Sequence, residues 1–402
     1  MVDIDLSVTI NGITCPNPLI VASGPSTLNY KAIMKCFERG AGGVVTKTIT
    51  FDPMQQIQPK PRMYVLGKND LFAGRFYSFY SIDLMSEHSP EKWVKFLRNI
   101  KRDLKKRGMN GVLIASIAGR SYEEWGKLAS IISNTGVDAI ELNLSCPHIE
   151  RGELMGRAVA SSPEVVKNIV KIVKENSISP VIGKLTPHGA NPLELAKIAA
   201  SAGIDALVST ARFQGLVIDA ESLSVVSWGG YGGYGGPWQL PISLSWTAKI
   251  VNENLGVPVI GSGGISSGMD IAKFILVGAD ATQCCTTIML RGREFIQKMI
   301  TELKEWMNRH GFIRISDFKG YLIDRITDVR NLNRRKIYRF FGTEKCSRCG
   351  ICAKICPYDA IRLDSDGKAK ISMKKCDNCG LCHSICPSDA IELKRLSMLT
   401  LA

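Results

Sequence analysis

The chain has 402 residues, of which 45% are hydrophobic, and it is long enough to form one large domain and one small one. No run of 18 or more apolar residues occurs, and the first residues lack the basic and apolar regions of a signal peptide. We therefore expect a cytoplasmic protein without a membrane span, and thirteen cysteines in a reducing compartment point to a metal site rather than to disulfides.

The formal net charge of +14 predicts a basic surface. Such a surface fits a nucleic acid, and it equally fits an acidic protein, because complementary charge steers association. No nucleic-acid-binding module is recognisable in the chain. We therefore expect no nucleic-acid binding and favour an acidic redox partner.

About the first 310 residues alternate eight strand-like segments with eight helical patterns. Eight such units favour a closed (β/α)8 TIM barrel, an α/β fold, although an open doubly wound sheet has the same periodicity. The predicted strands are Pro18–Gly24, Gly42–Thr48, Val112–Gly119, Asp138–Ser145, Pro180–Thr186, Asp205–Thr210, Pro258–Gly264 and Ala281–Thr287. The predicted helices are Tyr30–Arg39, Pro90–Lys106, Ser121–Thr135, Ser162–Glu175, Asn191–Ala202, Pro241–Leu255, Ser267–Val277 and Arg291–His310.

Polar residues and glycines at the ends of these strands favour the barrel over the open sheet. Barrel enzymes place their chemistry at the C-terminal ends of the strands. Seven residues fall at such ends: Ser23, Lys47, Asn143, Lys184, Thr210, Gly263 and Thr286.

Two segments interrupt the alternation. Residues 53–79 show little periodicity, which predicts a long loop of the kind that forms lids or binding sites. Residues 229–236 contain six glycines, which either form a flexible surface loop or let backbone approach a ligand closely. Their spacing is not that of a dinucleotide-binding loop.

The stretch Asn143-Leu-Ser-Cys-Pro-His148 follows a short apolar run that we interpret as a buried strand. These residues add little to a core, and they present hydrogen-bonding groups and one thiol at the strand's exit. We predict that Cys146 carries the chemistry. The alternative is a small buried thiol, which is the commoner state of an isolated cysteine.

Two cysteine runs follow a basic connector, residues 317–341, which is either a solvated linker or a docking surface for an electron donor. Each run has the spacing C-x2-C-x2-C-x3-C-P, and the second begins 30 residues after the first. This is the two-cluster bacterial ferredoxin pattern, in which the fourth cysteine of each run ligates the other cluster. We predict one [4Fe-4S] cluster on Cys346, Cys349, Cys352 and Cys386, and a second on Cys376, Cys379, Cys382 and Cys356. Structural zinc is the alternative.

The segment around Cys146 resembles the active-site segment of dihydropyrimidine dehydrogenases, and it is similar to that of class 1 dihydroorotate dehydrogenases. Ser81-Ile-Asp-Leu-Met-Ser-Glu87, Leu113-Ile-Ala-Ser-Ile-Ala118 and the ferredoxin tail extend the resemblance. It implies an FMN-bearing barrel in which Cys146 exchanges a proton with the substrate and Lys184 stabilises negative charge on the flavin ring. The FMN contacts that it implies are Ser23, Lys47, Thr48, Lys184, Gly236, Ser262, Gly263, Gly264, Cys285 and Thr286.

The resemblance also implies a substrate pocket, and here the chain departs from the family. Ser81 and Ser209 stand where the pyrimidine enzymes carry asparagine. A hydroxyl cannot offer the paired donor and acceptor of an amide, so we expect uracil and dihydroorotate to be poor substrates and the pocket to be more open on this side. The alternative is that loop residues near Arg212, Gln214 or Tyr80 replace the lost contacts. The residues implied for the substrate are Ser81, Asn143, Leu144, Ser145, His148, Ser209 and Thr210.

We therefore expect a flavin- and iron–sulfur-dependent oxidoreductase that acts on the CH–CH or C=C bond of a cyclic, pyrimidine-like compound. Electrons would come from a separate NAD(P)H/FAD subunit or a ferredoxin, because no nicotinamide or FAD fingerprint occurs. The alternatives are a dihydroorotate dehydrogenase and an electron-transfer subunit with a non-catalytic barrel. We expect a homo-oligomer with a barrel at residues 1–316, a linker at 317–341 and a ferredoxin domain at 342–396.

Overall fold

The computed structural model describes residues 4–72, 77–144, 162–187, 191–226, 229–332, 334 and 338–395. Eight parallel strands close into a barrel, each paired with the next and the last paired with the first. The predicted (β/α)8 fold is thereby confirmed. The strands are Leu19–Val21, Gly43–Val45, Val112–Ile117, Ala139–Asn143, Val181–Lys184, Ala206–Val208, Val259–Ser262 and Ala281–Cys284.

The strands are buried on both faces, because one face lines the barrel interior and the other supports the surrounding helices. Val112–Ile117, for example, is buried at all six positions. This explains why the strand sequences are continuous apolar runs rather than alternating apolar and polar residues. The helices that follow them are Tyr30–Glu38, Pro90–Lys106, Tyr122–Ser133, Pro163–Asn176, Pro192–Ser201, Leu240–Asn252, Gly268–Leu276 and Glu294–His310.

Polar caps define where several of these helices begin. The side chain of Asn29 accepts a hydrogen bond from the backbone N–H of Ala32, and Ser121 does the same for Glu124. Each such cap stabilises its helix by about 1 kcal/mol. The caps also fix where each loop ends, and the loops after the strands carry the site residues.

A four-stranded antiparallel sheet lies beyond the barrel strands, and it corrects the prediction of a long loop at residues 53–79. The insertion contributes the outer strand Met63–Leu66 and its neighbour Ser78–Ser81. The glycine-rich segment contributes Gly232–Gly235, and Phe213–Gly215 completes the sheet. Short helices, Pro53–Gln56 and Lys68–Phe72, and short hairpins, Val8–Ile10 with Ile13–Cys15 and Ile218–Asp219 with Ser224–Val225, account for further segments.

The chain forms two compact units, Met1–Ile326 and Thr327–Ala402. Residues just beyond the last barrel helix still belong to the first unit, since Phe318 is fully buried and packs edge-on against Trp306. Two 3-10 turns, Ile315–Asp317 and Ile323–Arg325, lie in the first unit, and a third, Val329–Asn331, lies in the second. Within the described ranges, no helix is long and apolar enough to span a bilayer.

The second unit repeats one small motif twice. The strand pairs are Tyr338–Gly342 with Ile391–Arg395 and Ile361–Leu363 with Ala369–Ile371, all antiparallel. Each half also contains one short helix, Ile351–Ile355 or Leu381–Ile385. Each helix begins directly after a left-handed glycine, Gly350 or Gly380, that stands between the second and third cysteines of its run. The twofold cysteine repeat is thus a structural repeat.

Candidate active site

A cavity of about 1120 Å³, counting the part open to solvent, lies at the C-terminal ends of the barrel strands. The loops after strands one, two, seven and eight supply much of its wall. Barrel enzymes place their sites at this end. All ten residues predicted to contact a flavin line this cavity: Ser23, Lys47, Thr48, Lys184, Gly236, Ser262, Gly263, Gly264, Cys285 and Thr286.

The residues predicted to contact substrate divide into three groups. Asn143 lines the cavity. Ser145, Cys146 and His148 lie outside the described residues. Ser81, Leu144, Ser209 and Thr210 are buried and, within the described ranges, are not part of the cavity wall.

Ser209 and Thr210 face the helix Leu240–Asn252 instead of the cavity. The Ser209 hydroxyl accepts a hydrogen bond from Thr247 at 2.8 Å. The Thr210 hydroxyl donates to the carbonyl of Ser262 at 2.7 Å. These bonds tie the end of the sixth strand to the helix and to the seventh strand. That Ser209 and Thr210 bind substrate stays a prediction.

A buried ion pair forms part of the cavity wall. Lys47 donates to Asp83 Oδ2 at 2.5 Å, and Arg62 lies 3.4 Å from Asp83 Oδ1. Burial acts to raise the pKa of Asp83, but the charges of Lys47, Arg212 and Arg62 lower it to below its usual value. Asp83 was not among the predicted site residues, although it lies inside the quoted stretch that begins at Ser81. Its carboxylate accepts the hydrogen bond that orients the Lys47 side chain.

A second polar group crosses the floor of the cavity. Lys184 donates to Gln283 Oε1 at 2.6 Å, and Gln283 Nε2 donates to Glu141 Oε2 at 2.5 Å. Lys184 also lies 3.8 Å from Glu141 Oε1. Glu141 is fully buried, and its Oε1 has no hydrogen-bond partner in the described part of the chain. A buried carboxylate oxygen without a partner is costly, so this atom favours a bound group that offers it a donor.

Hydroxyl and amide groups connect the first four strands at the same end. Asn143 Nδ2 donates to Thr48 Oγ1 at 3.0 Å. The Thr48 oxygen also lies 3.0 Å from Ser116 Oγ and 3.4 Å from Ser23 Oγ. This network holds Asn143 at the mouth of the fourth strand, next to the segment that contains Cys146.

Glycines form the wall after the seventh strand because a side chain would not fit. Gly263 and Gly264 have φ values of +102° and +83°, in the left-handed region. A Cβ on Gly264 would lie 2.3 Å from the backbone nitrogen of Leu240, and one on Gly24 would lie 2.5 Å from Cys285 Sγ. Bare backbone of this kind, next to the start of the helix Thr286–Arg291, is the usual setting for a phosphate.

Arg212 lines the cavity, whereas the sequence suggests it only as one of the loop residues near which the lost amide contacts could be replaced. Its Nη1 donates to Ser81 Oγ at 2.6 Å. The space expected from the shortened side chain at position 81 therefore holds a guanidinium group. Its signal in the sequence is weak, an arginine two residues after Thr210.

The cysteines of the second unit surround two small cavities. Cys346, Cys349, Cys352 and Cys386 line one, and Cys356, Cys376, Cys379 and Cys382 line the other. Each set thus combines three cysteines of one run with the fourth of the other, the pairing that the spacing predicts. No three cysteine, histidine or acidic side chains in the described residues converge as ligands of a single metal ion. Four thiols around a cavity fit a multi-atom cluster better than one zinc ion.

Three cysteines outside the two runs, Cys15, Cys36 and Cys284, behave as apolar residues. Cys15 and Cys284 are buried, and burial raises the pKa of each thiol to about 12. Burial also raises the pKa of Cys36. These thiols remain protonated near neutral pH.

Comparison with known proteins gives matches to both units. A family model described as dihydroorotate dehydrogenase matches residues 5–307, and one described as a 4Fe-4S dicluster domain matches residues 340–393. The chain is similar to a chloroplastic NADP(+) dihydropyrimidine dehydrogenase of Arabidopsis thaliana, with 30% identity over 83% of this chain and 80% of the relative.

Two microbial relatives are similar over comparable lengths. One is the NAD-dependent dihydropyrimidine dehydrogenase subunit PreA of Escherichia coli K12, with 32% identity over 88% of this chain and 86% of the relative. The other is the catalytic subunit of an NAD(+) dihydroorotate dehydrogenase B from Thermoplasma volcanium, with 33% identity over 80% of this chain and 99% of the relative.

Proposed function

This chain belongs to the dihydroorotate dehydrogenase family of flavin-dependent oxidoreductases and carries an iron–sulfur domain, and we propose that it interconverts the CH–CH and C=C forms of a cyclic substrate. The cofactors that we propose are one FMN in the barrel and two [4Fe-4S] clusters in the second unit. The observation that carries the proposal is the assembly of all ten predicted flavin residues around one cavity.

The residues of the cavity fit an FMN. Glu141 Oε1, which has no hydrogen-bond partner among the described residues, calls for a donor such as a hydroxyl group of the bound cofactor. Gly263 and Gly264 leave backbone exposed where a phosphate would bind, and Lys184 places a buried ammonium on the floor. When bound, the flavin supplies hydride transfer and the clusters supply single electrons.

The protein's own contribution is orientation, charge and a proton. Asp83 orients Lys47, and the Glu141–Gln283 pair orients Lys184, so that both ammonium groups can stabilise negative charge on bound groups. Cys146 would hold or release the proton on the substrate carbon next to the one that exchanges hydride. A thiol suits this exchange, because its unperturbed pKa of about 8.5 is close to working pH.

Electrons would reach the barrel from a separate protein. The relatives support this partner, since two of them are named as subunits of NAD-dependent enzymes. An NAD(P)H/FAD subunit and a ferredoxin are the two candidates. The basic connector, which includes Arg325, Arg330 and Arg334, would suit an acidic surface on either.

The test is a cofactor assay followed by a substrate screen. Anaerobically purified protein should contain one FMN, eight irons and eight acid-labile sulfides per chain, as two [4Fe-4S] clusters require. A panel of cyclic imides and unsaturated lactams is then added to the photoreduced flavin, and its reoxidation is followed by absorbance. Stoichiometric zinc without sulfide would reject the clusters, and reoxidation by no member of the panel would favour an electron-transfer subunit with a non-catalytic barrel.

Dihydroorotate oxidation is the second candidate. The match to a dihydroorotate dehydrogenase catalytic subunit, over 99% of that relative's length, favours it. Including dihydroorotate with oxidised enzyme in the same screen distinguishes the two.

A further inference from the structure

Arg212 lies in the wall of the cavity, although arginine is usually found at the protein surface. It follows the sixth barrel strand, precedes the outer strand Phe213–Gly215, and lines the same cavity as Asn143 and Lys47. Its side chain is only partly exposed. A charged group at the mouth of a small-molecule cavity acts on whatever binds there.

The outer sheet is shaped to hold the Arg212 guanidinium. Ser81 and Gly233 face each other across neighbouring strands, and Ser81 Oγ accepts the hydrogen bond from Arg212 Nη1. A Cβ on Gly233 would lie 2.5 Å from Arg212 Cζ, and one on Gly235 would lie 3.5 Å from its Cγ. A larger residue at Gly233 would displace the guanidinium. Ser81 and Gly233 together position the Arg212 guanidinium, the serine by a hydrogen bond and the glycine by the absence of a side chain.

The charge of Arg212 is not matched by a direct ion pair. The two lysines of the cavity wall have nearby carboxylates, Asp83 for Lys47 and Glu141 for Lys184. No carboxylate lies within 4.0 Å of the Arg212 guanidinium in the described part of the chain. The charge of Arg212 lowers the pKa of Asp83, but that carboxylate already forms ion pairs with Lys47 and Arg62. The described wall therefore carries three cations and two anions.

The hydrogen-bond donors of Arg212 also favour an anionic ligand. A guanidinium has five N–H donors in a planar fork, and the bond to Ser81 uses one of them. The remaining fork suits a bidentate contact with a carboxylate, which is the strongest kind of hydrogen-bonded ion pair.

We infer that Arg212 is a specificity-determining residue that binds a carboxylate carried on the substrate ring. The inference rests on the proposed function and names the substrate class: a cyclic unsaturated acid. It also replaces the expectation of a more open pocket beside Ser81, because the guanidinium fills that space, and the expectation that dihydroorotate binds poorly, because dihydroorotate is a ring acid. A neutral ring such as uracil would leave the fork of Arg212 without a partner.

Equilibrium binding to the oxidised holoenzyme tests the inference without requiring turnover. Two probe pairs differ only in a charged group: orotate with uracil, and cyclohex-1-ene-carboxylate with its carboxamide. Binding is followed through the change in flavin absorbance. Wild-type protein should prefer the acid in at least one pair, and Arg212→Gln should weaken acid binding by roughly 10–100-fold while leaving neutral-probe binding unchanged.

Two further variants sharpen the result. Arg212→Lys keeps the charge but loses the planar guanidinium. Its affinity for the acid should therefore lie between that of the wild type and that of Arg212→Gln. Arg107→Gln removes the same charge from an exposed pair with Glu38 and should bind both probes as the wild type does.

Three outcomes would overturn the inference. They are an equal loss for acid and neutral probes, no acid preference by the wild type in either pair, and loss of flavin from Arg212→Gln. The last would make Arg212 a cofactor anchor. Failure of the substrate screen, by contrast, would reject the proposed reaction even if acid binding behaved as expected.

Discussion

Lys47 and Asp83 form an ion pair with an N–O distance of 2.5 Å, and their side chains are only 6% and 4% exposed. Lys47 lies beyond the second barrel strand and Asp83 lies just beyond the strand Ser78–Ser81 of the outer sheet. The pair therefore joins the outer sheet to the barrel beside the cavity. Removing one partner of a buried pair leaves the other charge uncompensated, which is costly.

Asp83→Asn should destabilise the barrel unit by about 3–5 kcal/mol at neutral pH, because Lys47 and Arg62 would lose their shared carboxylate. Denaturant unfolding followed by flavin fluorescence measures the effect. The matched control is Glu38→Gln, which breaks an exposed pair with Arg107 and should cost less than about 1 kcal/mol. Equal effects of the two variants would contradict the role of the pair.

The same pair gives the pH dependence a definite sign. The pKa of folded Asp83 is lowered, so its stabilisation is complete above the unfolded value of about 3.9 and is lost as pH falls through the folded pKa. The stability difference between wild type and Asp83→Asn should be constant between pH 5 and 7 and shrink below about pH 4. A difference that stays constant down to about pH 2 would show that the charge of Asp83 is not its source.

Gly264→Ala should lose flavin. The added Cβ would lie 2.3 Å from the backbone nitrogen of Leu240, so the loop after the seventh strand must shift. A shift that costs only about 1.4 kcal/mol of binding free energy lowers affinity tenfold, and we expect at least that. Flavin content after dialysis is the measurement. Gly256→Ala, at φ +73° with nothing within 4 Å, has the same backbone strain without the clash and should keep its flavin.

The sequence was sufficient to locate the barrel strands and the ten predicted flavin contacts in the cavity wall. Buried parallel strands have a simple signature, a short apolar run that ends in a polar residue or glycine, as at Lys47, Lys184 and Gly263. Barrel topology then brings these ends together whatever their separation in sequence. The cysteine runs were equally informative, because their spacing is set by the geometry of the clusters.

The outer sheet was missed for a physical reason. Met63–Leu66 and Ser78–Ser81 are four residues long, and the second of them pairs with Gly232–Gly235, about 150 residues later. Glycine-rich strands have little propensity of their own, so tertiary pairing decides their structure. The same pairing decides which side chains face the cavity. Sequence alone therefore could not show that Arg212 donates a hydrogen bond to Ser81, and the substrate contact of Ser81 stays a prediction.

Cys349→Ala should interrupt electron transfer from the partner without affecting the flavin itself. It removes one of the four thiols around the first cavity of the second unit. Iron and sulfide should fall by up to half, and reduction of the flavin by the partner should fail, while photochemical reduction still works. Cys15→Ala, which removes a buried thiol of the barrel unit, should retain full iron. Normal partner-driven turnover by Cys349→Ala would place the clusters off the electron path.

Cys146→Ala should retain flavin and slow the chemical step. A placed acid–base group contributes roughly 10²–10⁴-fold to a rate, and this is the expected loss in reoxidation of the photoreduced flavin by substrate. Cys36→Ala, a change at a buried thiol whose pKa is raised by burial, is the control. Equal rates for Cys146→Ala and wild type would assign the proton transfer to another group.

Ser81→Ala should weaken the binding of an acidic ring, although we expect no contact between Ser81 and that ring. Ser81 is fully buried and, in the described structure, is absent from the cavity wall, so its effect must pass through the Arg212 guanidinium that it holds at 2.6 Å. Loss of one hydrogen bond to a charged group costs about 1.5–3 kcal/mol, although the guanidinium can recover part of this by rotating toward water. We expect affinity for the acid probe to fall by roughly 3–30-fold, with neutral-probe binding and flavin content unchanged.

Ser78→Ala, on the same strand, loses only the bond from Tyr234 and should bind both probes normally. Combining Ser81→Ala with Arg212→Gln should add nothing to the effect of Arg212→Gln alone, because the serine acts through the arginine. Additive losses would show that Ser81 contacts the substrate after all.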